Sequence, residues 1–202
     1  MICSRALILI ILLTLLGCGT FDLKDVKNIS NILQPTFNTD ELLKDAKYSF
    51  IIVEIGNDRE ITMVLSSINN NIYKWISNEL DAIYTINGKI IKIDGFNFNF
   101  RSSELISNNN SDICPNKYAV DLRNPDLYSL IISCSRSPSK NKNYFWKKDV
   151  RDTRILEKIN APDIFWNRVN EYIFEENGMP RYTNQEISPI HPRFKIKFYY
   201  KY

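Results

Sequence analysis

Three sets of side chains in this sequence are equipped for catalysis or binding, and each is sparse. His191 is the single histidine and lies between Ile190 and Pro192 in a stretch that reads as a loop. A serine–histidine triad or a histidine-rich metal site therefore lacks members, and His191 reads as a structural or incidental histidine. Carboxylates are more plentiful. Glu171, Glu175 and Glu176 cluster near a predicted hairpin, and Asp149 and Asp152 follow a predicted strand. Glycoside hydrolysis needs two carboxyls about 5–9 Å apart with unequal pKa values. No spacing here selects such a pair, and solvated strand faces account for all five. Lys195, Lys197 and Lys201 form a basic face on the final strand. One reading is contact with an anionic glycan or lipid headgroups; the other is an edge strand guarded by lysines against aggregation. The sequence has no phosphate loop, nucleophile elbow or dinucleotide fingerprint. It is expected to have no catalytic residues, no metal site and no cofactor.

Cys18 carries a stronger signal. Arg5 supplies a positive start, Ala6 to Leu16 form an apolar run too short for a comfortable membrane span, and Leu15-Leu16-Gly17-Cys18 resembles the Leu-x-Gly-Cys box of bacterial lipoproteins. Residues 1–17 then form a lipoprotein signal peptide, and Cys18 becomes the acylated first residue. Several acyl chains, at about 0.8 kcal/mol per buried CH₂, hold a protein at a membrane far better than one. Gly19 stands at the position after Cys18, where aspartate favours retention in the inner membrane; the periplasmic face of the outer membrane is the expected address. Loss of Arg5 leaves 25 basic against 23 acidic residues, a balance with no nucleic-acid footprint. In an oxidising compartment, Cys114 and Cys134 are disulfide candidates. A bridge between them would add roughly 3 kcal/mol by the chain-entropy model, and a zinc site would need further ligands.

The elements that must position these groups read as short strands. Residues 18–38 show no sustained period and read as a lipidated tether. Thr39 to Ala46 has the start signals of a short helix. Strand patterns follow at Tyr48–Ile55, Glu60–Ile68 and Ile72–Ser77. Asn87-Gly88, between alternating apolar residues, predicts a type I′ hairpin, placing Ile86 opposite Lys89, Tyr84 opposite Ile91 and Ala82 opposite Ile93. Parity flips after Gly95, which predicts a bulge or corner before Phe96, Phe98 and Phe100. Ser102 to Lys117 reads as a surface loop. Tyr118–Arg123, Leu127–Arg136 and Tyr144–Val150 read as strands, with a turn at Ser137-Pro138-Ser139-Lys140. Arg151–Arg168 is ambiguous between strand and short helix. Asn177-Gly178 turns Val169–Glu176 back into Met179–Ile187, and Phe194–Tyr202 alternates to its end. These features predict one all-β, mainly antiparallel domain over residues 39–202, barrel-like or sandwich-like, built from a bent sheet.

The lipobox, the block from Trp75 through Asn87-Gly88-Lys89-Ile90-Ile91-Lys92-Ile93-Asp94-Gly95-Phe96, and the closing block of Trp166-Asn167, Asn170-Glu171-Tyr172, Gly178, Gln185 and Pro189 together resemble the GfcB/YjbF lipoproteins, also called YmcC-like, of group 4 capsule and exopolysaccharide gene clusters. Lys89 stands where that family usually has arginine, Asp94 near its usual threonine, Phe96 for leucine and Ile173 where tryptophan is common. The resemblance implies a mainly β, barrel-like fold and a role in assembling or exporting an extracellular polysaccharide; with no residue set at catalytic spacing, that role is expected to be non-enzymatic. The expected partners are the membrane, through the lipid anchor, and polysaccharide export proteins or anionic glycan. Two alternatives are a lipid or lipoprotein carrier with an apolar cavity and a glycan-modifying enzyme with a carboxylate-lined cleft.

Overall fold

The computed structural model describes residues 46–56, 59–102, 105, 114–124, 126–139 and 152–201. The expected signal peptide, Cys18, the tether, the helix start at Thr39, Asp149 and the strand expected at Tyr144–Val150 lie outside these residues. The described chain folds into twelve strands: β1 (Phe50–Ile55), β2 (Arg59–Asn69), β3 (Ile72–Ile76), β4 (Ala82–Ile86), β5 (Lys89–Asp94), β6 (Asn99–Arg101), β7 (Lys117–Arg123), β8 (Leu127–Ser139), β9 (Thr153–Ala161), β10 (Trp166–Phe174), β11 (Pro180–Gln185) and β12 (Phe194–Tyr199). Each strand pairs antiparallel with its sequence neighbours, and β12 returns to pair with β1, from Phe50 opposite Tyr199 to Ile55 opposite Phe194. The sheet is a closed barrel.

Period-two alternation decides which face points inward. On β12, Phe194, Ile196 and Phe198 are buried while Lys195 and Lys197 point out. On β7, Tyr118, Val120 and Leu122 are buried in the same way. The inner faces form one apolar cluster that includes Ile51, Met63, Trp75, Ile83, Ile93, Phe100, Ile132 and Ile159. The buried Trp75 donates its indole N–H to Thr85 Oγ1 at 2.9 Å. The outer wall carries ion pairs such as Lys195–Glu54 and Arg154–Glu171. A lipid-facing barrel requires the opposite arrangement, so this wall faces water.

Twelve strands at about 4.8 Å spacing would enclose a circular lumen roughly 18 Å or more across. The barrel is instead flattened. β5 and β11 stand six places apart on the ring, yet the Gln185 side chain donates to the carbonyl of Gly88 and accepts the N–H of Ile90, at 2.9 and 3.0 Å. A Cβ on Gly88 would meet Pro180 Cβ and Thr183 Cγ2, each at 2.9 Å. The Asn87-Gly88 turn, with both residues at positive φ, therefore lies against the opposite wall and closes the lumen.

Four expectations need correction. The hairpin register holds only at the turn: Ile86 pairs with Lys89, but a bulge makes Ile91 an extra residue, so Tyr84 faces Lys92 and Ile83 faces Ile93. Tyr84 consequently turns outward. The parity flip at Gly95 is a chain reversal and not a bend within one strand, because β6 runs antiparallel to β5. There Gly95 adopts φ +99° and passes close over Asp81, whose carboxylate accepts the N–H of Phe96. The turn expected at Ser137–Lys140 is strand through Ser139, with Pro138 opposite Ile155. Among the described residues β7 pairs with β8 only as far as Lys117 opposite Ser133, so Pro138 has no described strand partner on that side, where a missing N–H costs little. Lastly, β12 has a neighbour on each side and is not an edge strand, so the edge-guarding reading of its lysines does not hold. The ambiguous stretch at Arg151–Arg168 resolves into β9, a single 3-10 turn at Pro162–Ile164, and the start of β10.

Candidate functional site

The densest polar chemistry lies inside the barrel. On β9, Leu156 to Ile159 alternates so that Glu157 shares the inward face with Ile159 and Ala161. The same alternation turns Tyr118 on β7, Cys134 and Arg136 on β8, and Asn170 and Tyr172 on β10 toward it. Lys89 enters from β5 across the lumen. Glu157 is 0% exposed and Lys89 4%, and Lys89 Nζ donates to Glu157 Oε1 at 2.9 Å. The Tyr172 hydroxyl and Asn170 Nδ2 donate to Oε2 at 2.8 and 3.3 Å. Arg136 Nε stands 3.5 Å from Oε1, outside hydrogen-bond geometry, and contributes charge. Aromatic faces cover both cations: Lys89 Nζ lies 4.4 Å from the Tyr118 ring centre, and the Arg136 guanidinium 5.2 Å from that of Tyr172.

Burial by itself would lift the Glu157 carboxyl. The Lys89 and Arg136 charges, with the hydrogen bonds from Lys89 and Tyr172, outweigh it and hold the carboxyl below its ordinary value. Burial, reinforced by the Glu157 charge, pushes the Tyr118 and Tyr172 hydroxyls well above theirs. Glu157 is thus an ionised acid whose two oxygens are already occupied. That chemistry ties neighbouring strands together.

Cys114 and Cys134 are joined in a disulfide with Cα atoms 5.5 Å apart. The Cys134 sulfur lies 3.4 Å from Glu157 Oε1, and the two sulfurs and this carboxylate fall within 4.8 Å of one another. Zinc would need thiolates and a free carboxylate. Bonded sulfurs and an ion-paired Glu157 do not fit that requirement.

The remaining candidates are dispersed. Asp152 contacts Arg181 at 3.4 Å, Glu171 pairs with Arg154, and Glu175 accepts from Asn177 Nδ2 at 3.3 Å; Glu176 is exposed at the β10–β11 turn. Lys195 is bound to Glu54 at 2.6 Å, Lys197 lies outward on the same strand, and Lys201 lies beyond the end of β12. His191 stacks on Phe98 with ring centres 4.0 Å apart, its Nδ1 lies 2.6 Å from Ser188 Oγ, and burial lowers its pKa.

The two motif blocks, far apart in sequence, meet across the lumen. Lys89 of the first lies against Asn170 and Tyr172 of the second through Glu157, and Gln185 of the second binds the backbone of the first. Glu157 belongs to neither block.

A family model described as group 4 capsule polysaccharide lipoprotein gfcB, YjbF matches residues 27–198. Among solved structures the chain is similar to the hypothetical lipoprotein YmcC from Escherichia coli K12, at 17% identity and a TM-score of 0.61, over 76% of this chain and 87% of that one. No curated protein matches.

Proposed function

Because the chain belongs to the family of group 4 capsule polysaccharide lipoproteins described as gfcB, YjbF, we propose that it supports exopolysaccharide or capsule assembly or export as a lipid-anchored envelope protein that holds glycan or partners and does not turn over substrate. In this reading residues 1–17 direct export, Cys18 carries the lipid, residues 18–38 form the tether, and the barrel sits at the periplasmic face of the outer membrane. The observation that carries the scaffold role is the engagement of Glu157. It is the most deeply buried carboxylate among the described residues, and both its oxygens accept from the protein's own groups. The apolar packing of the lumen also weighs against a carrier that loads lipid inside the barrel.

The experiment is complementation of a deletion strain, scored by exported polysaccharide. Amide replacements at Glu171, Glu175, Glu176, Asp149 and Asp152, made singly, are expected to leave output unchanged, while Cys18→Ser abolishes it. Collapse of output from one amide replacement, with the protein folded and at its normal membrane level, would identify an enzyme and overturn the scaffold reading.

A further inference from the structure

The outer wall of β2 to β6 carries a groove of about 330 Å³ lined by Ser67, Asn69, Lys74, Tyr84, Lys92 and Arg101, with Ile72 and Ile91 also in its lining. Two ladder irregularities lie beside it. One is the bulge at Ile91, and the other falls between Leu65 and Ser67 where β2 pairs with β3. Bulges bend a sheet and re-aim side chains; Tyr84, between the inward Ile83 and Thr85 on β4, lines the groove while one side of it still packs against the core. Lys92 Nζ lies 4.6 Å and Lys74 Nζ 5.8 Å from the centre of the Tyr84 ring. Arg101 stands directly opposite Lys92 on the next strand. Lys92 also pairs with Asp94 at 2.6 Å, but exposed pairs of this kind contribute little and exchange readily. Asp121 sits opposite Arg101 and accepts the N–H of Ser129. Among the described residues, three cations against these two carboxylates leave the groove positive.

We propose that this groove binds an anionic glycan bearing carboxylates. A sugar carboxylate would lie between the Lys74 and Lys92 ammoniums, where charge-assisted hydrogen bonds are strong. The Tyr84 ring would form the apolar floor beneath the sugar, and Ser67 and Asn69 would meet its hydroxyls. Arg101 would take a second carboxylate along the strand. This deepens the reading above, on which it rests for the polymer present in the cell.

The test uses the full lipidated chain in detergent, with three ligands and two variants measured by calorimetry. Oligogalacturonate is expected to bind, more weakly as salt rises, and a neutral maltooligosaccharide of equal length is expected not to bind. The K74Q/K92Q double variant should lose at least about ten-fold in affinity for oligogalacturonate with an unchanged melting temperature. The K195Q/K197Q/K201Q variant should bind as the parent does. Unchanged affinity in K74Q/K92Q overturns the groove, as does equal loss in the β12 variant or binding of glycerophosphoglycerol in place of oligogalacturonate. The two proposals fail separately: these affinities judge the groove whatever the polysaccharide output. Unchanged output on deletion of the protein would overturn the assembly role whatever the affinities.

Discussion

Lys89 and Glu157 form an ion pair at 2.9 Å between strands on facing walls of the barrel, with both side chains removed from water. Breaking such a pair from one side leaves an uncompensated buried charge, at a cost of about 3–5 kcal/mol, whereas replacing both with apolar groups is often far milder. Lys89→Met and Glu157→Leu are each expected to destabilise within that range. The double variant is expected to be more stable than either single one. Chemical denaturation of all four proteins checks this, and additive losses would show that the two charges are not coupled.

Acid should expose the same pair. The Glu157 carboxyl titrates below its ordinary value in the folded protein. Its contribution is therefore present above the unfolded pKa of about 4.3 and is lost as pH falls through the lower folded one. Stability is expected to drop steeply below about pH 4. The Glu157→Gln variant should be less stable at neutral pH and should show a shallower acid slope, measured by denaturant midpoints against pH. Tyr118 and Tyr172 act at the other end. Their raised values make stability fall once pH climbs past about 10, and Tyr172→Phe should blunt that decline.

Gly88 and Gly178 both occupy hairpin turns at positive φ, +78° and +81°. A Cβ on Gly88 meets the opposite wall, while one on Gly178 meets nothing within 4 Å. Alanine at each position incurs the same backbone strain, so the difference between them reports the cross-lumen contact alone. Gly88→Ala is expected to lower stability by at least about 1 kcal/mol more than Gly178→Ala. Equal melting temperatures would mean that the turn does not bear on β11.

The Cys114–Cys134 bridge is expected in the exported protein. Thiol labelling of the unreduced, denatured chain should find neither cysteine free, and reduction should cost roughly 3 kcal/mol. Two reactive thiols per chain would refute it.

Much of this barrel was legible residue by residue. Asn87-Gly88 and Asn177-Gly178 marked turns through their tolerance of positive φ, and the alternation of Phe194, Ile196 and Phe198 with lysines fixed the inward face of β12. The extra residue at Ile91 was not legible. Ile90, Ile91 and Ile93 are all buried, and three nearby isoleucines cannot say where the ladder slips, so the pattern sets Tyr84 opposite Ile91 where the ladder sets it opposite Lys92. Glu157 was missed although it left a trace: it shares parity with Ile155, Ile159 and Ala161, the pattern of a charge facing inward. Its main partner lies 68 residues away, and only closure of the ring brings the two together. Closure itself depends on strand tilt and stagger summed over all twelve strands, a quantity no local pattern contains.

The pairing of β1 with β12 also constrains how the molecule is made. Glu54 and Lys195, joined across that seam, are 141 residues apart, and such long-range contacts form slowly because loop-closure entropy precedes any gain. An arc with β12 missing would present two exposed strand edges, which invite pairing with other chains. Both edges stay unpaired until β12 docks on β1. On the proposed envelope address, the seam would stay open and both edges exposed until all twelve strands reach the same compartment.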